Sequence, residues 1–246
     1  MISEQTYEKM KMMKLGALAT SLRDMVNNKS YDDLSFEERV GLLIDTEWDR
    51  RRNRRCEQLI KKAGFAEAMA CIEAIDYRPE RNLDKTKIFK ISTCDYIAAR
   101  QDVLILGRCG VGKSFLAQAL GNAACRNHYT TRYVSMQDLF DELSVAEAAG
   151  AIGKVFDGFV KLQLLIIDDA FLIQPSLIDT TRLLKLVEKR LHIGSTIYST
   201  QLPPEEWHER IEEKIVADAI LDRVINRAHV FELQGDSLRK EFTPKI

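Results

Sequence analysis

Apolar positions fall into two textures along the 246-residue chain. Up to about residue 75 they recur at helical spacing. Leu15, Leu18, Leu22 and Met25 form one such series, and Phe36, Val40, Leu43, Ile44 and Trp48 form a stripe on a second helix. The second helix has a start signal in "SFEE", where Ser35 can cap the backbone and Glu38 can reach back to complete a capping box. Its pattern continues through Leu59 and Ile60 to about Ala63, with Gly64 as the stop. Around "DYRPERNLDK" the periodicity lapses and Pro79 argues against continuous helix, which places a linker near residues 76–86. From Val103 onward, short apolar runs alternate with helical stretches, the pattern of a parallel sheet with crossover helices. The predicted strands are Val103–Leu106, Arg132–Ser135, Leu164–Asp168, Thr196–Thr200 and His229–Leu233. The expected division is a helical domain over 1–75, a linker and entry to the core over 76–98, and an α/β domain over 99–246.

Composition narrows the class without deciding it. Hydrophobic content of 46%, 30% charged residues and a formal net charge of −1 are ordinary globular values, so any nucleic-acid surface has to be local. Such a surface is visible in the first domain. Residues 1–49 carry 10 acidic and 6 basic residues, whereas residues 50–62 carry 7 basic residues against the single Glu57. Arg50, Arg51, Arg52, Arg54 and Arg55, followed by Lys61 and Lys62, are either a solvated face or a set of phosphate contacts. A helix turns about 100° per residue, so five arginines in six positions spread around most of its circumference, and some must face a partner or the second domain. Lys154 and Lys161 lie on a stretch that reads as an ordinary amphipathic helix with solvated lysines. The five cysteines are dispersed, with no C-x-x-C pair, which fits a reduced compartment rather than a zinc site or disulfide framework. No apolar run approaches a membrane span and the N-terminal stretch lacks the apolar core of a signal peptide, so a cytoplasmic protein with no membrane partner is expected.

The strongest chemical signal is "GRCGVGKS". Gly107, Arg108, Cys109, Gly110, Val111, Gly112, Lys113 and Ser114 match G-x-x-x-x-G-K-[ST], after a predicted strand and at the start of a predicted helix that Phe115 continues. Glycines there let backbone N–H groups curl around phosphate oxygens. Lys113 supplies a cation for the outer phosphates, and Ser114 a hydroxyl for Mg²⁺. About 50 residues on, "LLIIDDA" sets Asp168 and Asp169 at the end of an apolar strand, where a charge is costly unless it binds metal or works. Paired with the P-loop, Asp168 is expected to hold Mg²⁺ through water and Asp169 to orient, or take a proton from, the attacking water. After the next strand, Ser199, Thr200 and Gln201 are either a γ-phosphate sensor or the turn before Pro203. Arg223 is either a surface partner of Asp222 or Asp218 or a finger inserted into a neighbouring subunit.

The order of these elements resembles the AAA+ ATPases, and more narrowly the IstB-like and DnaC-like group of transposition helpers and helicase loaders. "LSFEERVGLLIDTEWDRRRNRR", "STIYSTQLPPEEWHE" and "ADAILDRVINRAHVFELQGDSLRK" carry the likeness to IstB-like proteins. The resemblance implies a five-stranded parallel AAA+ core behind an all-helical N-terminal domain, with ATP and Mg²⁺ as cofactors. It also implies Gln201 as sensor I, Arg223 as an arginine finger acting in trans, and Arg239 as a second sensor. His208 reads as a surface or cap histidine. Implied partners are double-stranded DNA, with Lys154 and Lys161 as secondary contacts, a cognate transposase and further copies of the chain in an ATP-dependent ring or helical array. Arg108 and Cys109 depart from the proline or small hydroxyl residues common in such loops, and "DDAFLIQP" replaces the commoner "DDFGL". The rival readings are a DnaC-like helicase loader, a small-molecule P-loop kinase and a structural DNA-binding protein with a degenerate nucleotide site. The Asp-Asp pair, suited to activating water, and the absence of an Arg-rich lid argue against the kinase.

Overall fold

The computed structural model describes residues 3–67 and 69–238. In it the chain divides into two compact units, Met1–Gln58 and Leu59–Ile246. The first contains α1 (Glu4–Met12), α2 (Gly16–Asn27) and most of α3 (Phe36–Ala63). The expected capping box opens α3, with Ser35 N donating to Glu38 Oε2 at 2.7 Å and Glu38 N to Ser35 Oγ at 3.3 Å. Gly64, at φ +75°, follows the last turn.

The apolar stripe of α3 is only partly its buried face. Phe36, Ile44 and Trp48 are 81%, 56% and 65% exposed, while Leu43 and Glu47 are buried. The reason is polar. Glu47 Oε2 accepts from Ala17 N and Leu18 N at 3.1 and 3.2 Å, capping two donors at the start of α2 that the helix itself cannot satisfy. Its other oxygen accepts from Arg51 Nε at 2.8 Å, and Arg51 Nη2 reaches the Lys14 carbonyl.

The second unit comprises α4 (Lys85–Ser92), α5 (Asp95–Ala98), β1 (Asp102–Gly107), α6 (Lys113–Arg126), β2 (Thr131–Ser135), α7 (Met136–Ala148), α8 (Ile152–Val160), β3 (Leu164–Asp168), α9 (Leu177–Arg190), β4 (Ser195–Thr200), α10 (Pro204–Arg210), α11 (Lys214–Ile225) and β5 (Ala228–Leu233). All five strands are parallel, in the order β2-β3-β4-β1-β5. Alternate residues serve opposite faces. Leu104, Leu165, Ile167 and Tyr198 pack with α7, α8, α9, α11 and Trp207, whereas Val103, Ile105, Leu164, Ile166 and Ile197 pack with α4, α5 and α6. With both faces covered, β1 and β3 appear in sequence as unbroken apolar runs.

This strand order fixes where chemistry can occur. β4 lies between β1 and β3, so the chain leaving β1, β3 and β4 emerges at one edge of the sheet, beside the point where strand order reverses. Open α/β sheets bind ligands there.

Candidate nucleotide site

The loop from β1 to α6 takes the shape its glycines permit. Gly107, Gly110 and Gly112 have φ of +151°, +83° and +95°. A Cβ on Gly110 would lie 2.1 Å from Ser237 Oγ, and one on Gly112 would lie 2.5 Å from Arg81 Nη2, so both positions require glycine for space as well as conformation. Lys113 is buried as the first residue of α6 and donates from Nζ to the Arg108 carbonyl at 2.9 Å. The buried Val111 offers its carbonyl to Arg81 Nη2 at 2.5 Å.

Cys109, Gly110, Gly112, Lys113, Ser114 and Phe115 line a cavity of about 410 Å³ together with Asp169 and Gln201. Gly107 and Arg108 face a neighbouring groove, which Gln201 also lines. Part of the cavity wall comes from residues that carry no motif: Glu67, Asp76, Arg81 and Leu238. Arg81 is buried, donates from Nη1 to the Asp76 carbonyl at 2.9 Å, and through its own carbonyl accepts from Gln234 N at 3.2 Å. Leu238 N donates to the Gly110 carbonyl at 3.0 Å. The stretch read as linker and the stretch after β5 therefore close over the loop.

At the end of β3, Asp168 is buried and Asp169 is exposed. Asp168 Oδ2 accepts from the Tyr133 hydroxyl at 2.6 Å and Oδ1 from Asp169 N at 3.0 Å. Burial, then the hydrogen bond to Asp168, pushes the Tyr133 hydroxyl far above its ordinary range, so it stays a donor. The turn is tied to β4: Ala170 N donates to the Ser199 carbonyl at 2.8 Å and Thr200 Oγ1 to the Ala170 carbonyl at 2.7 Å. Ser199 and Thr200 are thus buried, and Gln201 is the residue of the three that reaches the cavity. Asp169 and Phe171 both have left-handed backbones, at φ +50° and +59°. Phe171 stands where the commoner phrase has glycine. Its ring is fully buried, 4.5 Å from that of Trp207, and this packing offsets the backbone cost of about 1 kcal/mol.

The remaining sequence candidates lie elsewhere. Arg223, on α11, is not part of the cavity wall; it pairs with Glu188 at 3.0 Å and donates to the Ala219 carbonyl at 2.7 Å. Neither aspartate considered as its partner holds it, since Asp218 pairs with His208 and Asp222 accepts from Asn226. In the first unit, Arg50, Arg51 and Arg54 line a groove with Lys11, Lys14 and Glu47. Arg52, Arg55, Lys61, Lys62, Lys154 and Lys161 are exposed. Arg239 lies outside the described residues. No helix among the described residues is long and apolar enough to cross a membrane.

A five-stranded parallel sheet in this order, with a P-loop after β1 and paired aspartates at the end of β3, is the AAA+ type of P-loop fold, and the family and relatives it matches make the chain an ATPase. The family model "IstB-like ATP binding protein" matches residues 8–245, and the chain belongs to that family. It is 36% identical to the insertion sequence ATP-binding protein y4pL of Sinorhizobium fredii over 240 residues, covering 98% of each chain. It is 35% identical to the IS1162 ATP-binding protein of Pseudomonas fluorescens, covering 82% of this chain and 88% of that one. In fold it is similar to DnaI (TM-score 0.59, 19% identity, 72% of this chain and 94% of that one). It is also similar to DnaA bound to AMPPCP and single-stranded DNA (TM-score 0.60, 19% identity, 70% and 52%).

Proposed function

We propose that this ATPase binds double-stranded DNA and assembles on it while ATP-bound. There it assists the transposase of an insertion sequence in target selection and strand transfer, and hydrolysis releases the assembly. The observation carrying this reading is the near full-length similarity to proteins named as insertion sequence ATP-binding proteins. Exposed arginines along the second half of α3 supply the cations that a phosphate backbone requires.

Within the site, the glycine-shaped cradle presents backbone N–H groups to the phosphates and Lys113 neutralises the outer ones. The Ser114 hydroxyl on the cavity wall and the Asp168 carboxylate, buried directly behind the exposed Asp169, are hard oxygen donors that would hold Mg²⁺, Asp168 through water, and the ion would supply positive charge to the phosphates. Asp169, exposed on the cavity wall, orients the attacking water and accepts its proton. Gln201 touches the γ-phosphate region and reports its loss. The likeness to IstB-like proteins makes Arg223 the transition-state arginine of the next copy in the array, a role its place outside its own chain's cavity wall supports, and hydrolysis then depends on assembly.

A strand-transfer reaction with a cognate insertion sequence transposase tests the function. Wild-type protein with ATP should raise transfer into target DNA, and Lys113→Ala should not. Equal transfer with and without the protein would refute the reading. Co-purification with a replicative helicase in place of a transposase would favour the helicase-loader alternative.

A further inference from the structure

Asp168 is held by a residue that belongs to no nucleotide-binding motif. Tyr133 is the third residue of β2, in register with Ile166 of β3, and Ser135 is in register with Asp168. Ile166 and Asp168 share a face of the sheet, because strand residues two apart point the same way. Two residues of strand span about 6.6 Å, comparable to the reach of a tyrosine side chain. Tyr133 lying along its strand therefore delivers its hydroxyl to the carboxylate at the end of the neighbouring one, at 2.6 Å. The ring is held from the other side by Phe65, with centroids 6.5 Å apart at 58°. A buried carboxylate that is to hold a metal-bound water must be fixed in rotation and must keep a lone pair available. The donors from Tyr133 and Asp169 N engage one lone pair on each oxygen and set the plane, leaving the remaining lone pairs for the water.

We propose that Tyr133 is a positioning residue that orients Asp168 for Mg²⁺–ATP. The proposal rests on the reading of Asp168 as the residue that holds Mg²⁺ through water. Loss of a hydrogen bond behind a metal-holding group commonly costs 10–100-fold in metal affinity, so removing the hydroxyl should act through the metal and not through the nucleotide.

The test is the affinity of full-length protein for a fluorescent ATP analogue, measured in EDTA and again in excess Mg²⁺. The ratio of the two gives the Mg²⁺-dependent gain. Tyr133→Phe should leave the EDTA affinity within about twofold of wild type and cut the gain by about tenfold. Asp168→Asn should abolish the gain. An unchanged gain in Tyr133→Phe beside a lost gain in Asp168→Asn would overturn the proposal alone. A full gain in Asp168→Asn would overturn the reading beneath it. If Tyr133→Phe weakened binding equally in EDTA and Mg²⁺, the tyrosine would be merely structural and the proposal would fail.

Discussion

Asp102, the first residue of β1, gives the core a pH dependence of unusual sign for a carboxylate. It is buried, and its Oδ1 accepts from Thr196 N at 2.6 Å. Burial raises its pKa from 3.8 to about 6, against the opposing effects of the Thr196 hydrogen bond and the positive charges of Arg227 and Arg190. A native pKa above the unfolded one means that the folded protein binds the proton more tightly. The stabilisation is therefore complete below about pH 4 and is lost as pH rises through about 6. Its full size is about 3 kcal/mol, of which roughly 1 kcal/mol falls between pH 5 and 7.5. Other groups titrate in that window, so the informative quantity is the difference between wild type and Asp102→Asn, which keeps the acceptor for Thr196 N but cannot ionise. Urea unfolding followed by tryptophan fluorescence suits the measurement: Trp207 is fully buried in this core, and Trp48, 65% exposed, can be replaced by phenylalanine in both proteins. From pH 5 to 7.5, wild type should lose about 1 kcal/mol relative to Asp102→Asn. Parallel stability curves for the two proteins would refute the reasoning.

Three further outcomes follow from the sites described. Asp169→Asn should bind ATP normally yet hydrolyse it at least a hundredfold more slowly, leaving persistent ATP-bound complexes visible by negative-stain microscopy. Arg223→Ala should lower hydrolysis by about 10³-fold, and mixing it with Asp169→Asn should restore part of the rate, because some neighbouring pairs then combine an intact Asp169 with an intact Arg223. A mixture as inactive as its components would place the arginine in its own subunit's site. Glu47→Ala should destabilise the first unit by about 1–3 kcal/mol, because it strips the Ala17 and Leu18 N–H groups and Arg51 of their acceptor; the loss should appear as helical signal melting at lower temperature.

The sheet was legible in the sequence because parallel strands buried on both faces appear as apolar runs. β3 matches its expected range, whereas β1, β2, β4 and β5 each begin one residue earlier, at Asp102, Thr131, Ser195 and Ala228, and β1 runs on to Gly107. The first three of those starts are buried polar residues, which hydrophobicity alone cannot assign to a ladder. The face of α3 was misread for a related reason: apolar periodicity has no means of anticipating a buried Glu47 whose oxygens serve α2 and Arg51. Within the site, residues whose chemistry is local to a motif were legible. Arg81, Asp76 and Leu238 were not, since a charged or lone apolar residue in an aperiodic stretch gives no sign that the chain folds back over the P-loop. Tyr133 was hidden in the same way, inside a strand where an aromatic residue ordinarily signals only packing.

The central claim is that nucleotide state controls assembly on DNA, and sedimentation of the purified protein with double-stranded DNA, in ATP, in ADP and without nucleotide over a salt series, tests it most directly. The account predicts large protein–DNA complexes in ATP alone, with affinity falling steeply as salt rises because many phosphates are contacted at once, and no such complexes for Lys113→Ala. Complexes of the same size and salt dependence in all three nucleotide states would contradict it.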